Sequence, residues 1–299
     1  MRLLDLFSGI GGFHLGFKRA GFKFDYVGFA EVDKYASAVY KYNNPFAKEL
    51  GDVKSIRSEN LPKIDIITFG SPCQDFSIAS KRAGLNGTRS SLIWEAIRLI
   101  TECKPRIFVW ENVKGTFSSN NGADFWAIIQ AFTNIGSYRL EWQLLNTCWF
   151  PRTPQNRERI YLVGYIGDRG GRSVFPIGET SATNGLKVKL NQIGTIGKDS
   201  EATRVYNFNG IARTLTDGGG MGAKTGLYLV KDIKNKICVS RLTPVECNGL
   251  QGFSDNYNEF GLLDGKKVAI SDTQRYKQAG NAVTVDVVAA VARKIKEIM

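Results

Sequence analysis

The chain has 299 residues, 43% of them hydrophobic, and a formal charge of +12 carried by Lys and Arg, with a single histidine. That length allows one large domain or a large one with a smaller companion, and the charge suits a polyanionic partner. Five cysteines, odd in number and without C-x-x-C spacing, argue against a zinc site or a disulfide framework, and no apolar run approaches membrane-spanning length. The opening Met1-Arg2-Leu3-Leu4-Asp5 has no signal-peptide character, so a cytoplasmic protein is expected. His14 lies in a glycine-rich turn, which leaves Cys-His and Ser-His hydrolase arrangements little to work with.

Residues 3–7 read as a short apolar strand, turned by Ser8-Gly9-Ile10-Gly11-Gly12 into a helix over 13–20 that Gly21 closes. Strand, glycine turn and helix open a nucleotide-binding βαβ unit, although many such turns only pack a helix onto a sheet. A second strand, 24–30, ends at Glu31, which could accept both ribose hydroxyls of an adenosine or stand as a solvated loop carboxylate. A helix over 34–42 stops at Asn43-Asn44-Pro45. Asp52 is a further acidic position, able to meet an adenine amino group.

The apolar run 64–69 reads as a fully buried strand. Gly70-Ser71-Pro72 stops it and presents Cys73 beyond its carboxyl end, the edge at which parallel sheets gather ligands and reactive groups. The polar, basic stretch 75–89 follows. A thiol at the root of such a loop suggests a nucleophile under a lid, whereas a lone cysteine beside a core strand is ordinarily a small buried hydrophobe. Ser90 caps a helix to about residue 102, and Lys104-Pro105 ends it. The strand 107–110 leads into Glu111-Asn112-Val113, which puts a carboxylate on the same rim as Cys73. After a helix over 124–134 and a strand over 138–146, Pro154-Gln155-Asn156-Arg157-Glu158-Arg159 enters the apolar strand 160–165. Period two sets Arg157 and Arg159 on one face, either solvated or turned toward the same cleft.

From residue 168 to 240 apolar periodicity fades and only short strands are expected. This stretch holds 11 Lys+Arg against 6 Asp+Glu, a net +5 that exceeds its share of the length, so it is a candidate for touching phosphates. Order returns at Thr243-Pro244-Val245-Glu246, a capping box with proline at the first helical position. The last helix, 284–298, lines up Val287, Val288, Val291 and Ile295 and needs a core. Gln278-Ala279-Gly280-Asn281 introduces it and returns the chain to the first domain.

Several stretches now fall in one order and spacing: Asp5-Leu6-Phe7-Ser8-Gly9-Ile10-Gly11-Gly12, Glu31, Asp52, Gly70-Ser71-Pro72-Cys73-Gln74, Glu111-Asn112-Val113, Gln155-Asn156-Arg157-Glu158-Arg159, Arg241-Leu242-Thr243-Pro244 with Glu246 and Cys247, and Gly280-Asn281. With them the chain resembles the DNA (cytosine-5) methyltransferases over nearly its whole length. Residues 168–240 do not match, apart from Arg213-Thr214-Leu215, similar to that family's short recognition-region signature.

The resemblance implies an α/β fold: a Rossmann-like S-adenosylmethionine-dependent methyltransferase domain with a smaller, strand- and loop-rich target recognition domain. Residues 1–167 and 271–299 would form the catalytic, cofactor-binding domain, and 168–270 the target recognition domain with its hinge. The implied activity methylates carbon-5 of a cytosine flipped out of duplex DNA, in a bacterial or phage modification system. It would use a Cys73 adduct, with Glu111, Arg157 and Arg159 around the base. Phe7, Ile10, Gly12, Glu31, Val32, Asp52, Val53, Leu92, Asn281 and Val283 would surround S-adenosyl-L-methionine. DNA contacts are expected at Thr214, Leu215, Gly218 and Gly219 and at Lys81 and Arg82, with Lys187, Lys189 and Lys224 on phosphates. A monomer without metal is expected, with a cognate restriction endonuclease as a partner in function. The rivals are the same chemistry on RNA, a DNA-binding protein of this fold without activity, and methylation of a free nucleotide.

Overall fold

The computed structural model describes residues 1–71, 92–167, 172–178, 190–217, 225–231 and 235–299. Cys73, Lys81, Arg82, Ser90, Lys187, Lys189, Gly218, Gly219 and Lys224 lie outside the described residues.

Strands β1 (Arg2–Leu6), β2 (Tyr26–Ala30), β3 (Lys48–Glu49), β4 (Ile66–Gly70), β5 (Ile107–Val113), β6 (Tyr138–Asn146), β7 (Gln155–Asn156) and β8 (Glu158–Ile166) occupy the first half of the chain. Seven of them form one sheet in the order β3-β2-β1-β4-β5-β8-β6. The first five run parallel, and β8 is antiparallel to both β5 and β6. The chain winds outward from β1 in one direction and then from β4 in the other. That reversal puts the switch point, where open α/β sheets bind ligands, between the carboxyl ends of β1 and β4.

Alternation along the strands decides which helix each residue meets. Leu3, Ile66, Ile107 and Val109 face α1 (Gly12–Arg19) and the final helix, while Leu4, Ile67, Phe69, Phe108 and Trp110 face α3 (Leu92–Cys103) and α4 (Ala123–Asn134). Both faces of the central strands are covered, which is why those strands read as continuous apolar runs. α2 (Lys34–Asn43) lies on the first face and stacks Tyr40 on Phe29, ring centroids 4.0 Å apart.

A second sheet, ordered β13-β12-β10-β9, is built from β9 (Gln192–Thr195), β10 (Arg204–Asn207), β12 (Leu227–Lys231) and β13 (Ile237–Arg241). Between them β11 (Ala212–Arg213) pairs in parallel with β7 and joins this part to the main body. The capping box forms on α5 (Pro244–Leu250): Glu246 N donates to Thr243 Oγ1 at 3.3 Å and Thr243 N to Glu246 Oε2 at 2.7 Å.

Two features were not anticipated. The hairpin β14 (Phe260–Leu263) and β15 (Lys266–Ala269) packs on α2, with Gly261 against Ala38. The chain thus rejoins the large body before residue 271, the boundary expected from sequence. Helix α6 (Asp272–Asn281) then precedes α7 (Val285–Ile298). Its apolar contacts come mainly from Tyr276 and Ala279, too few to print a helical stripe on the sequence.

α1 and α7 approach through glycines. A Cβ on Gly12 would lie 2.6 Å from Val283 Cγ2, and one on Gly16 only 2.4 Å from Val288 Cγ1. An alanine in a helix gains roughly 1 kcal/mol over glycine, but forced overpacking costs roughly 1–3 kcal/mol. Gly16→Ala should therefore give a net loss of up to about 2 kcal/mol in urea unfolding. A stabilised variant would show that these helices are not in close contact.

Candidate active site

The carboxyl edge of the main sheet carries two clusters on either side of the switch point. The first grows from β5. Glu111 pairs in register with Gly70 at the end of β4, and a Cβ on Gly70 would come within 3.1 Å of Glu111 Oε2. Glycine there makes room for the carboxylate. Glu111 Oε1 forms an ion pair with Arg159 Nε at 3.1 Å, and Arg159 Nη1 donates to the Glu158 carbonyl at 2.8 Å. Arg159 Nη2 has no partner among the described residues. Burial pushes the Glu111 carboxyl above the ordinary carboxylate range, and the guanidiniums of Arg159 and Arg157 hold back only part of that rise.

Arg157 sits close enough to bias Glu111 electrostatically, as a shared face predicts, but its guanidinium is committed elsewhere. It donates to the carbonyls of Leu215 at 3.0 Å, Gly280 at 3.2 Å and Ala282 at 3.0 Å. The expectation that Arg157 reaches the base or a phosphate is therefore redirected: the group is buried and fastens backbone to backbone.

The segment leading to Cys73 is anchored where it leaves β4. Ser71 is buried, and its Oγ accepts from Trp110 Nε1 at 3.1 Å and from Asn112 Nδ2 at 3.3 Å. Asn112 Nδ2 also reaches the Ser71 carbonyl at 3.2 Å, while its Oδ1 accepts from Val113 N and Thr116 Oγ1. Two side chains of β5 thus fix the residue two before Cys73. Sequence reasoning saw the Glu111-Asn112-Val113 run but gave Trp110 and Asn112 no role.

The second cluster surrounds the first glycine turn. Phe7, Gly9 and Gly11 take φ of 50°, 53° and 93°, the left-handed region in which a non-glycine residue such as Phe7 is strained. Among the described residues a Cβ on Gly9 would meet nothing within 4 Å, and the buried Ser8 Oγ has no hydrogen-bond partner. Glu31 is held at both oxygens, by Gly9 N and Asp33 N at 2.8 Å each, and its burial raises its pKa despite those donors. Each oxygen keeps a further lone pair. Asp33 in turn pairs with Lys277 of α6 at 2.6 Å. Val32 stands 75% exposed beside them, a large apolar side chain open at the rim.

The other residues expected around a cofactor gather less uniformly. Ile10, Gly12, Val53 and Val283 are buried and Leu92 is half-buried, while Asn281 is exposed at the end of α6. Asp52 is exposed and caps a short turn by accepting from Lys54 N at 3.0 Å. Beneath the turn, Asp5 is fully buried, accepting from Thr68 Oγ1 at 2.8 Å and from Tyr40 OH at 3.4 Å. Burial pushes Asp5 up to about 7 and His14 down to about 4, so the histidine is neutral core and not a proton carrier. An ionisable residue inside the apolar run 3–7 was the one sequence signal for this network.

The recognition signature also lands differently from its expectation. Leu215 is 2% exposed and packs with Tyr206, Tyr228, Leu250 and Tyr276, so its side chain cannot serve as a DNA contact. Thr214 Oγ1 donates to the Asn156 carbonyl, Leu215 N to Gln155 Oε1 at 3.2 Å, and Arg213 pairs with Glu201 at 3.1 Å. A Cβ on Gly280 would lie 2.5 Å from the Thr216 backbone. This segment is a joint between the two parts of the chain. Among the described residues no group of three or more His, Cys, Asp or Glu side chains is placed to hold a metal ion.

The family model for C-5 cytosine-specific DNA methylases matches residues 1–216 and 178–297. The chain is similar to the type II methyltransferase M.HhaI of Haemophilus parahaemolyticus, 32% identical over 99% of this chain and 94% of that one. It is likewise similar to the type II methyltransferase M.Bsp6I of a Bacillus species, 31% identical over 100% and 99% of the two chains. Among solved structures it shares the fold of the Dnmt2 methyltransferase of S. pombe, with a TM-score of 0.75 at 20% identity, covering 99% of this chain and 98% of that one.

The two arginines should separate by experiment. Arg157→Met strips three carbonyls of a charged donor, and charged hydrogen bonds contribute roughly 1.5–3 kcal/mol each. Its loss should exceed about 3 kcal/mol in thermal or urea unfolding, well above that of Arg159→Met at the more open end of the strand. Equal losses would contradict the clamp.

Proposed function

The chain belongs to the C-5 cytosine-specific DNA methylases, and from that premise we propose how its own residues carry the reaction. It is a DNA (cytosine-5) methyltransferase of the kind found in bacterial and phage modification systems. The observation that carries the proposal is the buried, proton-favouring Glu111 held by Arg159 on the rim from which the Cys73 segment departs.

Cytosine carbon-5 is a poor nucleophile. Addition of the Cys73 thiolate to carbon-6 forms an S–C bond, opens the 5,6 double bond and makes carbon-5 the nucleophilic end of an enamine. Negative charge builds at ring nitrogen 3, where a protonated Glu111 donates, and its other oxygen can accept from the exocyclic amino group. Arg159 orients Glu111 through Nε and has Nη2 left for the base carbonyl. Once carbon-5 is methylated, its proton leaves to water or a loop group, the double bond re-forms and the thiolate is eliminated. Arg157 acts as a positioning residue, holding together the backbone around this site.

The glycine-turn cluster fits a nucleoside-bearing cofactor: an orphaned Ser8 hydroxyl, open space at Gly9, a fixed Glu31 and an exposed Val32. S-adenosylmethionine, when bound, supplies the methyl group. Glu31 would take the ribose hydroxyls and Asp52 the adenine amino group, with Phe7, Ile10, Gly12, Val32, Val53, Leu92, Asn281 and Val283 around them. We further read residues 168–270 as the part that selects the DNA sequence, apart from the hairpin that packs on α2. The protein would act as a cytoplasmic monomer alongside a restriction endonuclease of the same specificity. No helix among the described residues is long and apolar enough to cross a membrane.

A duplex with fluorine at carbon-5 of the target cytosine tests the covalent scheme. The fluorine cannot leave as a proton, so a protein–DNA species that survives denaturation should accumulate. It should require the cofactor and vanish in Cys73→Ala. If ordinary duplex is methylated at carbon-5 while the fluorinated one gives no stable adduct, the scheme is wrong for this protein.

The pH profile tests Glu111. Because its folded pKa is raised, the required proton is present below that value and lost as pH rises through it. The kcat/KM profile should therefore fall on its alkaline side. Arg159→Met, which removes the guanidinium that favours the carboxylate, should move that limb upward, and Glu111→Gln should abolish it while slowing the reaction roughly 10²- to 10³-fold. An alkaline limb unmoved in both variants would assign the proton to another group.

A further inference from the structure

Outside the site, a pocket of about 440 Å³ opens between α1, α7 and the loop joining β6 to β7. Its walls include Arg19, Phe150, Pro151, Arg152, Asp286 and Arg293. Asp286 Oδ1 alone accepts from both Arg19 Nη1 at 2.8 Å and Arg152 Nη2 at 3.1 Å, and Arg293 has no ion-pair partner among the described residues. Three guanidiniums against one carboxylate leave two positive charges uncompensated.

A single exposed arginine would be an ordinary solvated side chain. Here Asp286, 11% exposed, turns two of them toward the same space. Phe150 is buried in the core beneath, and Pro151 adds a rigid wall. Such a set of planar forks over a firm floor matches the oxygens of an oxyanion such as a phosphate, and not an apolar ligand.

The pocket opens beside the loop that leaves the same sheet edge as Glu111. Its loop starts at the carboxyl end of β6, two strand spacings or roughly 10 Å along the rim from Glu111. It ends at Gln155, whose Nε2 donates to the Leu250 carbonyl at 3.2 Å. Gly252, just beyond α5, closes the other side, since a Cβ there would be 3.5 Å from Arg19 Nη1.

We propose that the pocket binds a phosphate group, and that the phosphate belongs to the DNA backbone beyond the target base. The choice of source rests on the reading of this chain as a DNA enzyme. The same chemistry could be met by free phosphate, which the experiment separates.

The full-length Arg152→Gln/Arg293→Gln double variant is the probe, with Arg19 retained because it braces Asp286. Unchanged binding of S-adenosylhomocysteine would show that the variant is folded. Duplex affinity is measured over a range of KCl concentrations, and thermal stability with and without inorganic phosphate at matched ionic strength. A backbone phosphate predicts a plot of log affinity against log salt shallower by about 1 to 2, and a low-salt Kd raised at least about fivefold. A free-phosphate site predicts an unchanged salt slope and a phosphate-induced rise in wild-type Tm that the variant lacks, which would overturn the DNA assignment. No change in either measurement would overturn the pocket as a phosphate site. Wild-type protein that binds no duplex at all would instead sink the functional reading, whatever the pocket does.

Discussion

The guanidinium of Arg157 joins three stretches of backbone that lie far apart in the sequence. It leaves the junction of β7 and β8, reaches the Leu215 carbonyl in the second part of the chain and closes on Gly280 and Ala282 at the return to the first. A buried cation is costly unless its donors are satisfied, and here carbonyl oxygens accept from Nη1 and Nη2 while the Glu111 carboxyl lies close enough to feel the charge. The neighbouring contacts agree with this reading. Gln155 bridges Leu215 N and the Leu250 carbonyl, Gln251 bridges the Ala279 carbonyl and Thr284, and Gly280 lies directly on the Thr216 backbone. The rim that carries Glu111 and the second part of the chain are thereby held together by hydrogen bonds to main chain, which depend little on side-chain identity in the second partner.

That arrangement divides the labour between two arginines only two residues apart. Arg157 is spent on architecture, and Arg159 keeps a free edge next to Glu111. The division also settles the electrostatics of the carboxylate. Burial drives Glu111 toward its protonated form, and two nearby guanidiniums oppose but do not cancel that drive. A carboxyl balanced in this way can donate to a developing negative charge and still keep a fixed orientation.

The glycine turn shows the same economy of charge. Asp5, Tyr40, Thr68 and His14 form a polar network under it in which burial favours neutral forms of both ionisable ends. The strained φ of Phe7 and the left-handed glycines beside it are held by backbone bonds, Ser8 N donating to the Ala30 carbonyl at 3.1 Å and Gly11 N to the Ser8 carbonyl at 2.9 Å. Glu31 is presented to the rim as an acceptor, and two backbone N–H groups fix where it points. The excess of basic charge lies outside these two clusters, partly in the 168–240 stretch and partly around Asp286.

Sequence by itself determined the order of strands and helices through residue 167, because buried parallel strands and capped helices leave local marks: apolar runs, glycine turns and N-cap residues. It also carried the family, since a family's chemistry constrains residues at fixed spacing. The hairpin at residues 260–269 and helix α6 were not legible, as their stability comes from packing on α2 and on α5, not from their own periodicity. Whether Arg157 or Arg159 forms the ion pair with Glu111 was equally hidden. Strand alternation assigns both to one face, and only tertiary packing decides that Leu215, Gly280 and Ala282 come within reach of the first and not the second. Leu215 was misread for the same reason: its neighbours in sequence are polar and suggest a displayed loop, while the residues that bury it, Leu250 and Tyr276, lie far along the chain.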